Sequence, residues 1–214
     1  MLRILSTRAN SCKRCVKLYS ALASHRIKPF SSVSGEVCVI KHLPLSAEYY
    51  NDDIAPIAPI AIERHGEQEW RYAVLSTELH GHVGIYSLLG VKMGLYAREL
   101  LGAEAGAMRV VSYAGSTPPI SCFNDGLQVA TEATLGHGLI EVVHPFSPRV
   151  EAEFSTHNNT LRLRLKSEYN QLLQHEIEEL KALYGLGKEY WDDVRVLALR
   201  FWVEWRRKDI FERV

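Results

Sequence analysis

The chain has 214 residues, of which 47% are hydrophobic, and its 25 Lys and Arg residues balance 25 Asp and Glu residues. A net charge of zero leaves no overall attraction to nucleic acid or to anionic membranes, and no apolar run approaches the roughly 18 residues of a membrane-spanning helix. We therefore expect one ordinary domain with an appendage, or two small domains sharing a core, with neither nucleic acid nor membrane as a partner.

The first 35 residues differ in composition from the rest. They contain seven Lys and Arg residues, many serines and no acid. This composition is typical of an organelle transit peptide. We favour a poorly ordered basic leader on a cytoplasmic protein, with organelle targeting as the alternative.

The cysteines are too sparse for a disulfide framework. Cys12 and Cys15 have the CxxC spacing of a zinc knuckle or a redox dithiol, but no second pair follows and no strand precedes them. We interpret them as ordinary thiols. Cys38 is interpreted as a small buried residue in a strand predicted over Glu36–Leu43.

The middle of the chain contains the strongest predicted helix. Before it, Pro56 and Pro59 predict an extended edge segment rather than a helix, and His65-Gly66-Glu67 predicts a turn. Apolar residues then recur at helical spacing from Tyr86 to Leu100, and Gly102 stands where a helix should end. Gly90 and Gly94 share one face of this helix and leave a groove where another backbone could approach closely, although we expect simple packing on a sheet.

The second half of the sequence predicts strands followed by two helices. A proline-containing segment, Ser116–Pro119, precedes a short helix with its N-cap at Asn124 or Asp125 and its end near Ala133. Of the two last helices, the first ends at Gly185 with a left-handed stop and the second ends in Arg206, Arg207 and Lys208. The predicted strands are Arg109–Tyr113, Leu139–Val143, Val150–Phe154 and Thr160–Lys166.

These elements predict an α+β protein in which a mixed or antiparallel sheet packs with helices. We divide the chain into the leader 1–35, a core 36–166 and a C-terminal helical pair 167–214 packed on the core.

The tripeptide His80-Gly81-His82 is the most informative motif. Two residues apart, the imidazoles would point about 200° from each other in a regular helix. At an irregular helix start they can converge, because Gly81 supplies backbone freedom. Imidazole is a common ligand for zinc, nickel, copper and iron. Two histidines at a helix entry whose hydrogen bonds are satisfied within the protein would explain the motif about as well as a metal site.

Cys122 extends the motif to a candidate metal site. Its position between a proline-rich turn and a helix start predicts a lowered thiol pKa. One thiolate and two imidazoles would leave a coordination position for water or substrate. Asp125 is a candidate fourth ligand or acid/base, and a buried Cys122 with Asp125 as a cap is the alternative. Three residues could supply supporting hydrogen bonds or contacts to a cofactor: Gln128, Thr131 and Thr134.

Two stretches resemble the FmdE family, which takes its name from formylmethanofuran dehydrogenase. They are LHGHVGIYSLLGVKMGLYARELLG, residues 79–102, and PPISCFNDGLQVATEATLGHGLIEV, residues 118–142, and residues 161–211 are similar to the tail of bacterial members. The resemblance implies an FmdE-like α+β core, a homodimer and bound zinc or another first-row transition metal. It also implies His80, His82 and Cys122 as the metal ligands. The tungsten or molybdenum chemistry associated with this family's name resides in other subunits.

The sequence also departs from the family pattern. Gly84 stands where many members have the cysteine of HGHxCPG, and Ala133 and His137 replace a cysteine and a lysine of GCTxGKG. A site with fewer sulfurs should favour oxygen and nitrogen ligands, and His137 becomes a candidate ligand or acid/base. The C-terminal zinc finger of some members is absent from the sequence after Cys122.

Several functions fit these observations. The first is a metal-dependent enzyme or accessory protein that binds a small molecule, with Glu78 as a candidate base, although capping of the helix entry is its simpler role. The second is a non-catalytic accessory module in one-carbon or redox metabolism. A third is a dimeric interaction protein with a vestigial site, whose partner surface would be the helix that carries Trp191, Phe201, Trp202 and Trp205. A Cys122–His dyad is a weaker alternative.

Overall fold

Helices and a five-stranded sheet make up the part of the chain that the computed structural model describes, residues 43–214. The leader 1–35, Cys12, Cys15 and Cys38 lie outside these residues, as does the strand predicted over Glu36–Leu43 except for its last residue. The helices are α1 Ala58–His65, α2 Glu67–His80, α3 Ile85–Leu101, α4 Phe123–Thr131, α5 Ser167–Tyr184, α6 Lys188–Glu204 and α7 Arg207–Ile210. The strands are β1 Arg109–Ser112, β2 Ile140–Val142, β3 Glu151–Ser155, β4 Thr160–Leu165 and β5 Phe211–Arg213.

The sheet is mixed, with the order β2-β1-β3-β4-β5. Strand β1 runs parallel to β2, whereas the β1–β3, β3–β4 and β4–β5 pairs are antiparallel. The α+β class and the mixed sheet expected from the sequence are confirmed. In β4 the predicted alternation is also present, because Leu161, Leu163 and Leu165 are buried and the residues between them face solvent more. None of the helices in residues 43–214 is both long and apolar enough to cross a membrane.

Helices α3 and α4 pack with their backbones in unusually close contact. A Cβ atom on Gly90 would lie 2.2 Å from the backbone oxygen of Phe123, and a Cβ on Gly126 would lie 1.9 Å from that of Ser87. Only glycine permits this approach. The expected packing of the Gly90 face on a sheet is therefore wrong, since this face contacts another helix.

The segment around Pro56 and Pro59 is helical rather than extended. Pro59 lies in the first turn of α1, where its missing N–H needs no partner and its fixed φ suits the helix. The predicted edge segment is therefore wrong for Ala58–His65. Gly66, with φ of 88°, joins α1 to α2 in the predicted turn.

The C-terminal segment closes the fold. Trp202 of α6 stacks on Trp70 of α2 with ring centroids 4.7 Å apart, and Phe201 and Trp205 are also buried. Helix α6 ends at Glu204, before the basic run, and β5 follows as an edge strand that the sequence analysis missed. The C-terminal segment 167–214 therefore contributes strand β5 to the sheet in addition to its helices.

A buried ion cluster fastens this segment to the helices. Lys92 of α3 donates a 2.5 Å hydrogen bond to Glu69 of α2, and Arg207 donates to the other Glu69 oxygen at 2.8 Å. Lys92 is 2% exposed and Glu69 is 1% exposed. Burial lowers the pKa of Lys92, and the Glu69 carboxylate opposes that shift.

Candidate metal centre and adjoining cavity

The two histidines of the HGH motif lie at a helix end, not at a helix start. His80 is the last residue of α2, and Gly81 caps that helix in the left-handed conformation with φ of 85°. His82 follows in the turn before α3. The reversal brings the two rings together, with centroids 4.3 Å apart. Gly81 therefore provides the convergence that the sequence suggested, but by ending a helix.

His80 is held by a carboxylate from α4. Its Nδ1 atom lies 2.7 Å from Oδ2 of Asp125. Since an ionised carboxylate only accepts hydrogen bonds, Nδ1 donates, and in the neutral imidazole Nε2 then carries the lone pair. That Nε2 atom is buried and has no hydrogen-bond partner among the described residues. The side chain is 10% exposed, so a nearly buried acceptor lacks its partner.

Both histidine Nε2 atoms face the backbone of Gly84. A Cβ atom at this glycine would lie 3.0 Å from Nε2 of His80 and 3.6 Å from Nε2 of His82. His82 is exposed, and partial desolvation of its ring, followed by the neighbouring His80 and then Arg195, lowers its pKa. His82 is therefore neutral at neutral pH, and its lone pair is available to a ligand.

Cys122 lies at the N-cap of α4 and lines the same cavity as the two histidines. Its thiol is half-buried, and burial raises its pKa, with a further increase from the Asp125 charge. The expected lowering of the Cys122 pKa is therefore wrong for the metal-free chain. Loss of solvation and a nearby carboxylate outweigh the backbone hydrogen bond at the helix start.

The cavity beside these residues has a volume of about 440 Å³. Its opposite wall comes from α5, α6 and the loop between them. Tyr86 also lines it, and burial, followed by Tyr190 and then Cys122, raises the pKa of that phenol to about 12. Tyr86 therefore stays protonated at neutral pH. The remaining wall is mostly apolar and includes Ile177, Leu186, Tyr190, Trp191 and Val194.

The other candidate residues lie away from this cavity. Thr131 is buried and donates to the Leu127 carbonyl at 2.7 Å. Gln128 accepts from Leu135 N–H at 3.0 Å, and Thr134 accepts from His137 N–H at 3.2 Å. These bonds shape the loop after α4.

His137 and Glu78 are both exposed. The His137 ring lies at 3.4 Å from the Glu132 carbonyl. Glu78 is in the last turn of α2 and lines a different cavity. The prediction that Glu78 caps a helix entry is therefore wrong, because Glu78 lies near the C-terminus of α2. The N-cap expected at Asn124 or Asp125 is also wrong, since α4 begins at Phe123 and Cys122 is its N-cap.

The candidate metal ligands are only partly grouped. Within residues 43–214, no three His, Cys, Asp or Glu side chains are grouped closely enough to hold a metal ion as they stand. The structure thus brings together two imidazoles, with Asp125 behind one and Cys122 in the same cavity wall. The sequence analysis missed Tyr86 and the α5–α6 wall, because helical spacing alone gave no sign that they face the histidines.

Fold and site together define an α+β domain in which paired imidazoles open on an apolar cavity. The family described as "FmdE, Molybdenum formylmethanofuran dehydrogenase operon" matches residues 79–212, and the chain belongs to this family. The resemblance noted in the sequence is confirmed.

One relative is a protein of Archaeoglobus fulgidus named "Probable S-adenosyl-L-methionine-binding protein". It is 39% identical to this chain over 69 residues, which is 31% of this chain and 19% of that protein. The chain thus matches about a fifth of the length of this relative.

Proposed function

We propose that this FmdE-family chain binds a first-row transition metal, zinc first among them, through His80, His82 and Cys122. In this proposal a small molecule occupies the 440 Å³ cavity beside the metal. The observation that supports the proposal most strongly is the buried Nε2 atom of His80, which has no partner among the described residues. A buried acceptor without a partner costs about 1–3 kcal/mol, and a bound metal would remove that cost.

The donor set fits zinc chemically. Zinc binds imidazole nitrogen and thiolate sulfur, and three protein ligands leave a position for water or substrate. A metal-bound histidine typically donates its other N–H to a carboxylate, and the His80–Asp125 contact has this form. Cys122 would complete the set by a side-chain movement and would lose its proton when the metal binds.

Each nearby residue then has a role in the proposal. When bound, the metal would supply Lewis acidity to a ligand oxygen. Asp125 fixes the tautomer and the orientation of His80, which favours positioning over its other candidate roles as a fourth ligand or an acid/base. Tyr86 holds a phenolic proton at the cavity wall and can donate it in a hydrogen bond to the ligand. The apolar wall of α5 and α6 binds the non-polar part of the ligand and excludes water.

A non-catalytic accessory protein with a structural or vestigial metal site is the second candidate. It is favoured by the incomplete grouping of ligands in residues 43–214 and by exposed apolar side chains around the α5–α6 turn. Such a surface is suited to a partner, and we propose a homodimer. These side chains are Leu183, Leu186, Trp191 and Val196.

Elemental analysis of untagged protein tests the metal proposal. We expect about one zinc, or another first-row metal, per chain, with loss of the metal in Cys122→Ala and in His80→Ala while circular dichroism stays unchanged. A wild-type protein that is folded and takes up no zinc on dialysis would contradict the proposal. Stoichiometric metal without an exchangeable water ligand would favour the accessory role.

The ligand is tested separately. The name of the Archaeoglobus relative makes S-adenosyl-L-methionine a suitable first probe for calorimetric titration of the zinc-loaded protein. Because the match covers 19% of that relative, the probe is one member of a panel that also contains apolar carbonyl compounds. Binding that is lost in Trp191→Ala would place the ligand in the cavity.

A further inference from the structure

A second cavity lies on the other side of the segment that carries His82. It has a volume of about 310 Å³ and is bounded by the turn at Tyr49–Asn51, by α2 and by α6. His82 and Val83 line both cavities. A third space, lined by His82, Val83, Trp191, Val194 and Arg195, shares residues with each. The three cavities therefore adjoin one another around His82, and we refer to them together as the groove. We refer to the space beside Tyr49–Asn51 as the polar chamber.

Two buried hydrogen-bonding groups of the polar chamber have no partner. Oγ1 of Thr77 and Nε1 of Trp202 are both buried, and neither has a hydrogen-bond partner in residues 43–214. Trp202 is 2% exposed, and an indole N–H can only donate. The indole of Trp70, which stacks on Trp202, is satisfied because it donates to the Tyr50 hydroxyl at 2.9 Å. Residues of the chamber wall therefore carry two buried polar atoms that lack a partner, which an oxygen acceptor would supply.

The chamber also has a guanidinium N–H group, from an arginine paired with Asp53, and an exposed carboxylate. Nε and Nη2 of Arg195 donate to Asp53, the latter at 3.1 Å, while its Nη1 has no acceptor among the described residues. Glu78 is exposed at the same chamber and has no ion-pair partner in the described part of the chain. The residues that carry a guanidinium N–H, two unsatisfied neutral donors and an exposed carboxylate thus line one small cavity.

We propose that the polar chamber binds the zwitterionic head group of an α-amino acid or of an α-amino acid derivative. The ligand carboxylate accepts hydrogen bonds from Arg195, Thr77 and Trp202, and the ligand ammonium group donates to Glu78. A plain anion would be repelled by Glu78, and a plain amine would leave the donors without an acceptor. A head group of both signs matches the donors and the carboxylate together.

The groove also orients such a ligand. From the polar chamber, the side chain of the ligand extends past His82 into the apolar cavity, which requires an apolar or long side chain. This direction rests on the proposed function, because it brings the side chain to the metal centre. The head-group site itself does not depend on a metal.

Nuclear magnetic resonance of the metal-free, chelator-treated full chain tests the head-group site. The indole N–H signal of Trp202 is assigned by its loss in Trp202→Phe. The probes are L-leucine, 4-methylpentanoate, which lacks the amino group, and 3-methylbutylamine, which lacks the carboxylate. We expect a saturable shift of the Trp202 signal with L-leucine, and binding weaker by roughly tenfold for each analogue.

Glu78→Gln provides the matched comparison. This substitution should weaken the binding of L-leucine by roughly tenfold, because it removes the contact with the ammonium group. The affinity for 4-methylpentanoate, which has no ammonium group, should be unchanged or higher. Glu189→Gln, on the exposed first turn of α6, is the control and should change the affinity for neither compound. The inference is overturned if no probe shifts the Trp202 signal, or if 4-methylpentanoate binds as tightly as L-leucine. Because no metal is present, these results do not depend on the zinc proposal.

Discussion

Nδ1 of His80 lies 2.7 Å from the carboxylate of Asp125, and this contact joins the end of α2 to the first turn of α4. It leaves the other nitrogen of His80 as a buried acceptor directed toward Gly84. The same carboxylate raises the pKa of Cys122, after burial. Asp125 thus affects two of the three proposed ligands without being one of them.

Asp125→Asn is expected to weaken zinc binding by about 10–100-fold, because the amide supports the imidazole of His80 less strongly than a carboxylate does. Competition with a chromophoric chelator measures the affinity. Glu141→Gln, an exposed substitution on β2, is the control and should leave the affinity unchanged. An unchanged affinity in Asp125→Asn would show that the contact has no part in metal binding.

Alkylation of Cys122 in the metal-free protein should be slow. Since burial and Asp125 raise the thiol pKa above its ordinary value of 9.0, the reactive thiolate is a smaller fraction at about pH 8 than in a free thiol. We expect the rate with iodoacetamide to keep rising beyond about pH 9 and to increase in Asp125→Asn. Peptide mass spectrometry follows Cys122 alone. A rate that levels off below about pH 8 would contradict the raised pKa.

Gly90→Ala should destabilise the fold by about 1–3 kcal/mol or more, because its methyl group would overlap the backbone of α4. Gly136→Ala is the matched control, since its nearest neighbour would be the Thr134 hydroxyl at 3.9 Å. Urea unfolding compares the two free energies. Equal stability of the two variants would show that the backbones of α3 and α4 are not in contact at Gly90.

Stability should decrease in acid partly through His65. Burial lowers the pKa of His65 below its ordinary value of 6.5, so the unfolded chain binds more protons than the folded chain in this range. The contribution of the neutral imidazole to the free energy of unfolding is therefore present above about pH 6.5 and is lost as pH falls toward the lowered pKa. His65→Gln should show a shallower dependence in urea titrations between about pH 5 and 7. The same slope in both proteins would assign the effect to other groups.

The fold was predictable where one local pattern decided the outcome. The Leu161, Leu163 and Leu165 alternation identified β4, and the spacing from Tyr86 to Leu100 identified α3. The prolines of α1 misled the prediction, because a proline in the first turn and a proline in an extended segment look alike in sequence.

The site was predictable only in part. The sequence named His80, His82 and Cys122 as candidate ligands, and the three residues line one cavity. The contact of Asp125 with His80 joins residues 45 positions apart, and Tyr86 and Tyr190 line one cavity from two different helices. No periodicity encodes such contacts, since they depend on how the helices cross.

The buried ion cluster has a consequence for synthesis. Glu69 and Lys92 are made early, but Arg207, which satisfies the second oxygen of Glu69, follows 138 residues after Glu69. While the chain is still emerging from the ribosome, that carboxylate oxygen has no guanidinium, and enclosing it in the core is unfavourable. The helices should therefore stay loosely associated until the last segment arrives. Premature termination before Arg207 would yield a nascent chain that chaperones and proteases recognise.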